Sequence, residues 1–303
     1  MVFGEAGALV GVWSEPRSVE RGRTAVVMVN SGVIHHVGVW RLHVRLARTL
    51  AGLGVPALRF DLSGIGDSTS SPSASTLEAL VQQDVDSALE YVRSQGPVDQ
   101  VVLVGLCSGA RDALDAAGRR PDVAGIVCVD LIADFRTWHH HAVHYRRRFF
   151  RPKSWANTLS GRNSVISRVL SRLGGGRPRA GSLQQAVLGL RPVTGREILA
   201  RELDTFLGRG GRVLFVFSGG LVHNYNHRLQ FRRALPVIER HPRFSLEYFG
   251  GADHTFSRRH HQQALMKCIT SWLSQQGFAP GAPPPAAAYV ESAPTEREGP
   301  SGA

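Results

Sequence analysis

Residues 101–110 read VVLVGLCSGA, an apolar run that meets a cluster of small residues. The pattern predicts a buried strand that turns sharply into a helix, with a thiol and a hydroxyl side by side at the bend. Such a turn forces one residue into strained backbone, and its flanks crowd together. The residues two before and two after the apex must therefore be small. With Cys107 at the apex those positions are Gly105 and Gly109; with Ser108 they are Leu106 and Ala110. Sterics select Cys107. The plainer alternative is a small buried cysteine in an ordinary strand–helix turn, so the surrounding sequence has to decide.

Working outward, short apolar strands alternate with amphipathic helices. TAVVMVNSG (24–32) reads as a strand entering a small-residue loop, and RLHVRLARTLAGLG (41–54) as a helix that stops at glycine. PALRFDLSGIGDS (56–68) reads as a strand and glycine-rich turn, TLEALVQQDVDSALEYVRSQG (76–96) as a helix. SGARDALDAAGRR (108–120) is a helix and VAGIVCVD (123–130) a strand. After about sixty residues of different character the alternation resumes. TGREILARELDTFLGRGG is a helix, RVLFVFSGG and FSLEYFGGADH are strands, and RRHHQQALMKCITSWLSQ is a helix. This order predicts an α/β class, with a mostly parallel sheet wrapped by helices on both faces. The core divides into 1–130 and 191–276, with an insertion at 131–190 read as a basic helical cap. The Pro/Ala-rich stretch from 277 to 303 reads as a disordered tail.

A histidine loop follows the last core strand at FGGADHTF, which makes His254 the candidate general base for a nucleophile at Cys107. An acid would ordinarily follow RVLFVFSGG, but LVHNYNHRLQF has none. Asp130, at the end of the preceding strand, is the candidate. Asn224 and Asn226 are alternatives that could orient the imidazole as an amide does in Cys-His-Asn sites. Asp253 adjoins His254, but adjacent side chains seldom face one another. The N–H of Ser108, opening the helix, and the N–H of Val33 in NSGVIHH are the candidate oxyanion donors. Asp61 and Asp67 read as turn and capping residues. The clusters WHHHAVH (138–144), His35–His36 and His260–His261 lack carboxylates or cysteines at ligand spacing in the sequence. They read as surface, and no metal or cofactor is expected.

The segments VVMVNSGVIHHVGVWRLHVRLARTLAGLGVPALRFDLSGIGDS, GLCSGA and GADHTF resemble the α/β-hydrolase superfamily. Over residues 20–275 the chain is most similar to the cysteine-elbow group named exosortase A system-associated hydrolase 1, found with bacterial exopolysaccharide loci. Its Gly-x-Cys-x-Gly is also similar to that of dienelactone hydrolase, which carries an acid after the penultimate strand where this chain has none. The resemblance implies an α/β-hydrolase fold and ester or thioester chemistry. In that chemistry an acyl group on Cys107 would pass to water or, in an acyltransferase, to a hydroxyl.

Charge adds a second theme. The chain has 36 basic and 24 acidic side chains, and twelve of the basic ones fall between Arg136 and Arg191, where there is no acid. The rest of the molecule is balanced, so the basicity belongs to the insertion. A solvated basic face is one reading. The other is a gate for an anionic partner: a phosphopantetheine carrier protein, coenzyme A, an acidic polysaccharide or a peripheral membrane surface. No nucleic-acid motif accompanies the charge, so no nucleic acid is expected. Three widely spaced cysteines make no disulfide framework, and no apolar stretch approaches the roughly 20 residues of a spanning helix. A cytoplasmic setting is expected. Two functions follow: a cysteine-dependent acyl enzyme acting on a small-molecule or acyl-thioester substrate, or a non-catalytic relative that binds an anionic ligand or protein through its cap.

Overall fold

A computed structural model describes residues 1–16, 21–69, 76–137, 140, 193–221 and 224–280. Eight strands are distributed along the chain: β1 (Val2–Phe3), β2 (Leu9–Ser14), β3 (Thr24–Val29), β4 (Ala57–Phe60), β5 (Gln100–Leu106), β6 (Val123–Val129), β7 (Arg212–Ser218) and β8 (Phe244–Phe249). They form one sheet in the order β1-β2-β4-β3-β5-β6-β7-β8. Strands β3 to β8 run parallel. β2 runs antiparallel to β4, and β1 antiparallel to β2. This is the α/β-hydrolase fold.

Side chains alternate along each central strand, so one strand feeds two cores. Val27 and Val29 of β3 join the core beneath α2 (Leu77–Ser94), α3 (Ser108–Arg119) and α4 (Arg196–Gly208). Val26 and Met28 join the opposite core, beneath α1 (Leu42–Gly52) and a last helix, Arg259–Gln275. Burial on both faces explains why these strands are continuous Val/Leu/Ile runs. Thr76 caps α2 by accepting the Ala79 N–H at 3.1 Å.

Two features depart from the sequence reading. The first fourteen residues hold β1 and β2, whose short, glycine-broken pattern carries little period-two signal. Between β7 and β8 stand two short helices, α5 (Gln230–Ala234) and α6 (Pro236–Glu239), so the last helix is α7. The chain departs after Ala133 and returns at Thr194, and these two residues pair in a parallel bridge. Of the cap expected at 131–190, residues 138, 139 and 141–190 lie outside the described residues, as do 281–303 of the tail expected at 277–303; at the start of that tail Phe278 is instead buried against Trp272 of the last helix. Arg111 of α3, paired with Asp115 on its own helix, secures the returning segment through Glu202 (2.7 Å) and Thr194.

Candidate active site

All the candidate groups emerge where a parallel sheet exposes its carboxyl edge, the usual place for a site in an open α/β sheet. Cys107 follows β5 and precedes α3, with φ 59° and ψ −113°. A left-handed φ on a non-glycine residue is strained backbone, held here by its surroundings. The Cys107 N–H donates to the Val129 carbonyl at 2.9 Å, extending the β5–β6 ladder into the turn. A Cβ on Gly105 would overlap the Gly109 carbonyl, and one on Gly109 the Asn30 carbonyl. Both glycines are thus required by close backbone approach. The thiol is half-buried.

One strand over, Asp130 directly follows β6, also at positive φ (50°), and is fully buried. Its N–H donates to the Val216 carbonyl at 2.7 Å. Its carboxylate accepts from the Ser218 N–H (2.7 Å) and the Ser218 hydroxyl (2.6 Å). The same carboxylate lies 2.9 Å from Nδ1 of His254, which follows β8. Burial opposes charge on that imidazole. Hydrogen bonds and negative charge from Asp130 and from Cys107 outweigh it and raise the pKa to about 9. The structure therefore brings Cys107, His254 and Asp130 together.

It does not bring the amide alternatives to the imidazole. Asn224 donates to the Leu131 carbonyl at 3.0 Å and Asn226 to the His140 carbonyl at 3.1 Å. Both fasten the segment after β6, and with Gln230 they form a buried polar network there. Ser218 was not anticipated from the sequence. It occupies the strand end where an acid was sought and instead positions the acid of the neighbouring strand. A serine at that position was the available signal.

On the other side of the thiol, the Gly32 N–H donates to the Ser108 hydroxyl at 2.7 Å. This ties the loop that carries Val33 to the first residue of α3, whose N–H has no acceptor within the helix. Beneath the loop is a buried polar cluster. Asp61 is fully buried and accepts from the His36 N–H (2.5 Å), the His36 imidazole (2.7 Å), the Asp67 N–H (3.1 Å) and Asn30 (3.2 Å). The surface reading of His35–His36 is thus corrected for His36, which is buried against a carboxylate distant in sequence. Together with His35 and Asp67 these groups place four potential ligand atoms within 4.8 Å of one another. Asp67 stands in the turn after β4, as read, whereas Asp61 precedes that turn and serves as the buried acceptor of this cluster. Among the described residues, no helix is long and apolar enough to cross a membrane.

This architecture places the chain among proteins of the α/β-hydrolase fold. Residues 22–139 match the family described as serine aminopeptidase, S33. Similar solved structures include an α/β serine hydrolase without lid from Xanthomonas campestris (17% identity, 93% of this chain and 94% of that one, TM-score 0.54). An esterase from Pyrococcus furiosus is also similar (11% identity, 90% and 88%, TM-score 0.57). So is Est1E from Butyrivibrio proteoclasticus, solved with ferulic acid bound (14% identity, 88% and 95%, TM-score 0.54). No curated protein matches the sequence.

Proposed function

We propose that the protein is a hydrolase of ester or thioester bonds that works through an acyl-enzyme on Cys107. The observation that carries this reading is the chain of contacts from the Cys107 thiol through His254 to buried Asp130. An imidazole whose pKa lies near 9 is protonated at neutral pH and so carries the proton that a leaving group requires.

The Cys107 Sγ thiolate attacks the acyl carbonyl carbon and its π electrons move to oxygen. The Ser108 and Val33 N–H groups donate to that oxyanion. On collapse, the bond to the alcohol or thiol leaving group breaks, and the His254 imidazolium N–H protonates it. The product is a Cys107 thioester. His254, now neutral, takes a proton from water as the water oxygen attacks the same carbon. Collapse expels the thiolate and releases the carboxylic acid; with the proton taken from water His254 is again an imidazolium beside the Cys107 thiolate, and the acid gives its own proton to solvent. If a substrate hydroxyl replaces water, the same steps transfer the acyl group. Asp130 fixes the tautomer and orientation of His254 throughout.

The likeness to a serine-hydrolase family concerns the fold and elbow, and in this chain the steric apex is a cysteine. Three free cysteines support a reducing, cytoplasmic setting. Resemblance to the exopolysaccharide-locus group supports a role in polymer biosynthesis, with a carrier-borne acyl thioester among the substrates to test. Steady-state hydrolysis of short acyl esters and thioesters tests the reading. Cys107→Ala and His254→Ala are each expected to reduce kcat/KM by a factor on the order of 10³ or more. Unchanged rates in either variant would remove the reading.

A further inference from the structure

Beside the His254 loop lies an open surface groove of about 340 Å³ lined by Trp40, Arg41, Arg45, Ser257, Arg259 and Gln262. Three guanidinium groups face one small space and no carboxylate lines it. Among the described residues, none of the three forms an ion pair. Several arginines elsewhere are paired, Arg23 with Asp99, Arg111 with Asp115 and Glu202, Arg119 with Asp86 and Arg120 with Asp122, while others such as Arg48 and Arg212 stand in no ion pair among the described residues; what sets these three apart is that they line one space. Arg45 instead donates to Oε1 of Gln262, a neutral side chain only 1% exposed, which holds the guanidinium in place without cancelling its charge. The carboxylate of the nearby loop, Asp253, is already engaged. It accepts the N–H and O–H of both Thr255 and Ser257.

The positive field extends inward. Arg59 is held below the usual arginine range by burial and by the charges of Arg48 and Arg41, with Asp61 the opposing charge. Arg259 also opens α7, so the positive end of a 17-residue helix adds to the same place. Like charges so gathered repel, and a bound anion relieves that repulsion. The groove is next to the chemistry. The Trp40 indole N–H donates to the Thr255 hydroxyl at 3.2 Å, one residue past His254. Trp40 (φ 51°) and Arg41 (φ 63°) both sit in left-handed backbone, a cost that fixes where these two side chains emerge.

We infer that this groove is an anion subsite for the substrate and that the acyl donor carries a phosphate group bound there while its carbonyl meets Cys107. Charge decides the class. By charge a dianionic phosphate answers two of the three guanidinium groups and a pyrophosphate all three, whereas a single carboxylate answers one, and guanidinium forks match phosphate oxygens in pairs. The inference rests on the acyl-enzyme reading for the substrate's identity; the binding of the anion does not.

Calorimetric titration with inorganic pyrophosphate, at fixed ionic strength, separates the two. The wild type should bind saturably, and Arg45→Gln/Arg259→Gln should bind at least about tenfold more weakly, both side chains being exposed and outside the core. Absence of binding at millimolar pyrophosphate, or equal binding in the variant, overturns the subsite. Succinate binding as tight as pyrophosphate overturns the assignment to phosphate. A second arm compares kcat/KM for a phosphate-bearing thioester with that for a matched neutral thioester. The ratio should be about tenfold or more in wild type and fall towards one in the variant, and a wild-type ratio near one overturns the substrate role. If no ester or thioester acylates Cys107, the enzymatic reading fails while the calorimetry still reports on the groove.

Discussion

Replacing Asp130 by asparagine, in a Cys107→Ala background, isolates the charge that sustains the His254 imidazolium. The folded-state pKa of His254 is about 9, against an ordinary value near 6.5. The folded protein thus holds a proton that the unfolded chain gives up. The associated stability is fully present below pH 6.5 and is lost as pH rises through about 9. At about 1.36 kcal/mol for each pH unit, the interval is worth about 3 kcal/mol at most. The His254 side chain is 29% exposed and Cys107 supplies part of the effect, so Asp130 alone should account for about 1–2 kcal/mol. The assay is urea unfolding of Cys107→Ala and of Cys107→Ala/Asp130→Asn at pH 6.0 and pH 9.5. The protein that keeps Asp130 should lose about 1–2 kcal/mol more across that range than the one that lacks it. Comparing the two differences removes the pH-independent cost of disturbing the Ser218 hydrogen bonds. Equal losses in both proteins would refute the claim that Asp130 holds the imidazolium.

The cysteines should differ sharply towards iodoacetamide at pH 7.5. Burial pushes both Cys128 and Cys268 up to about 12, so peptide mapping should show Cys107 alkylated at least about 100-fold faster. Gly109→Ala should destabilise by on the order of 2–3 kcal/mol in chemical denaturation, because its new methyl group meets backbone that cannot step aside.

What the sequence discloses here is whatever a local steric or periodic demand writes into it. Gly105 announces the elbow because its crowding against Gly109 acts within five residues, although Gly109 itself is crowded by the distant Asn30 carbonyl, and the Val/Leu/Ile runs announce the central strands because both their faces are buried. Asp130 was visible as an acid at a strand end. That it reaches His254, 124 residues away, depends on the β6–β7–β8 register and on Ser218, which no linear pattern encodes. Asn224 and Asn226 were equally plausible by composition, and only the fold shows their amides spent on the carbonyls of Leu131 and His140. His36 misled for the same reason, since its carboxylate partner, Asp61, is 25 positions away. The arginine groove could not be read at all. Arg41, in left-handed backbone just before α1, and Arg45 on that helix are close in sequence, but Arg259 joins them only when α1 and α7 pack side by side on one face of the sheet.

The most direct test of the account is the intact mass of the protein after brief exposure to short acyl esters and acyl thioesters. The wild type should gain the mass of one acyl group, mapped to Cys107, and Cys107→Ala should gain none. An adduct that persists in Cys107→Ala, or one that maps to Ser108, would contradict the assignment of the thiol as the nucleophile.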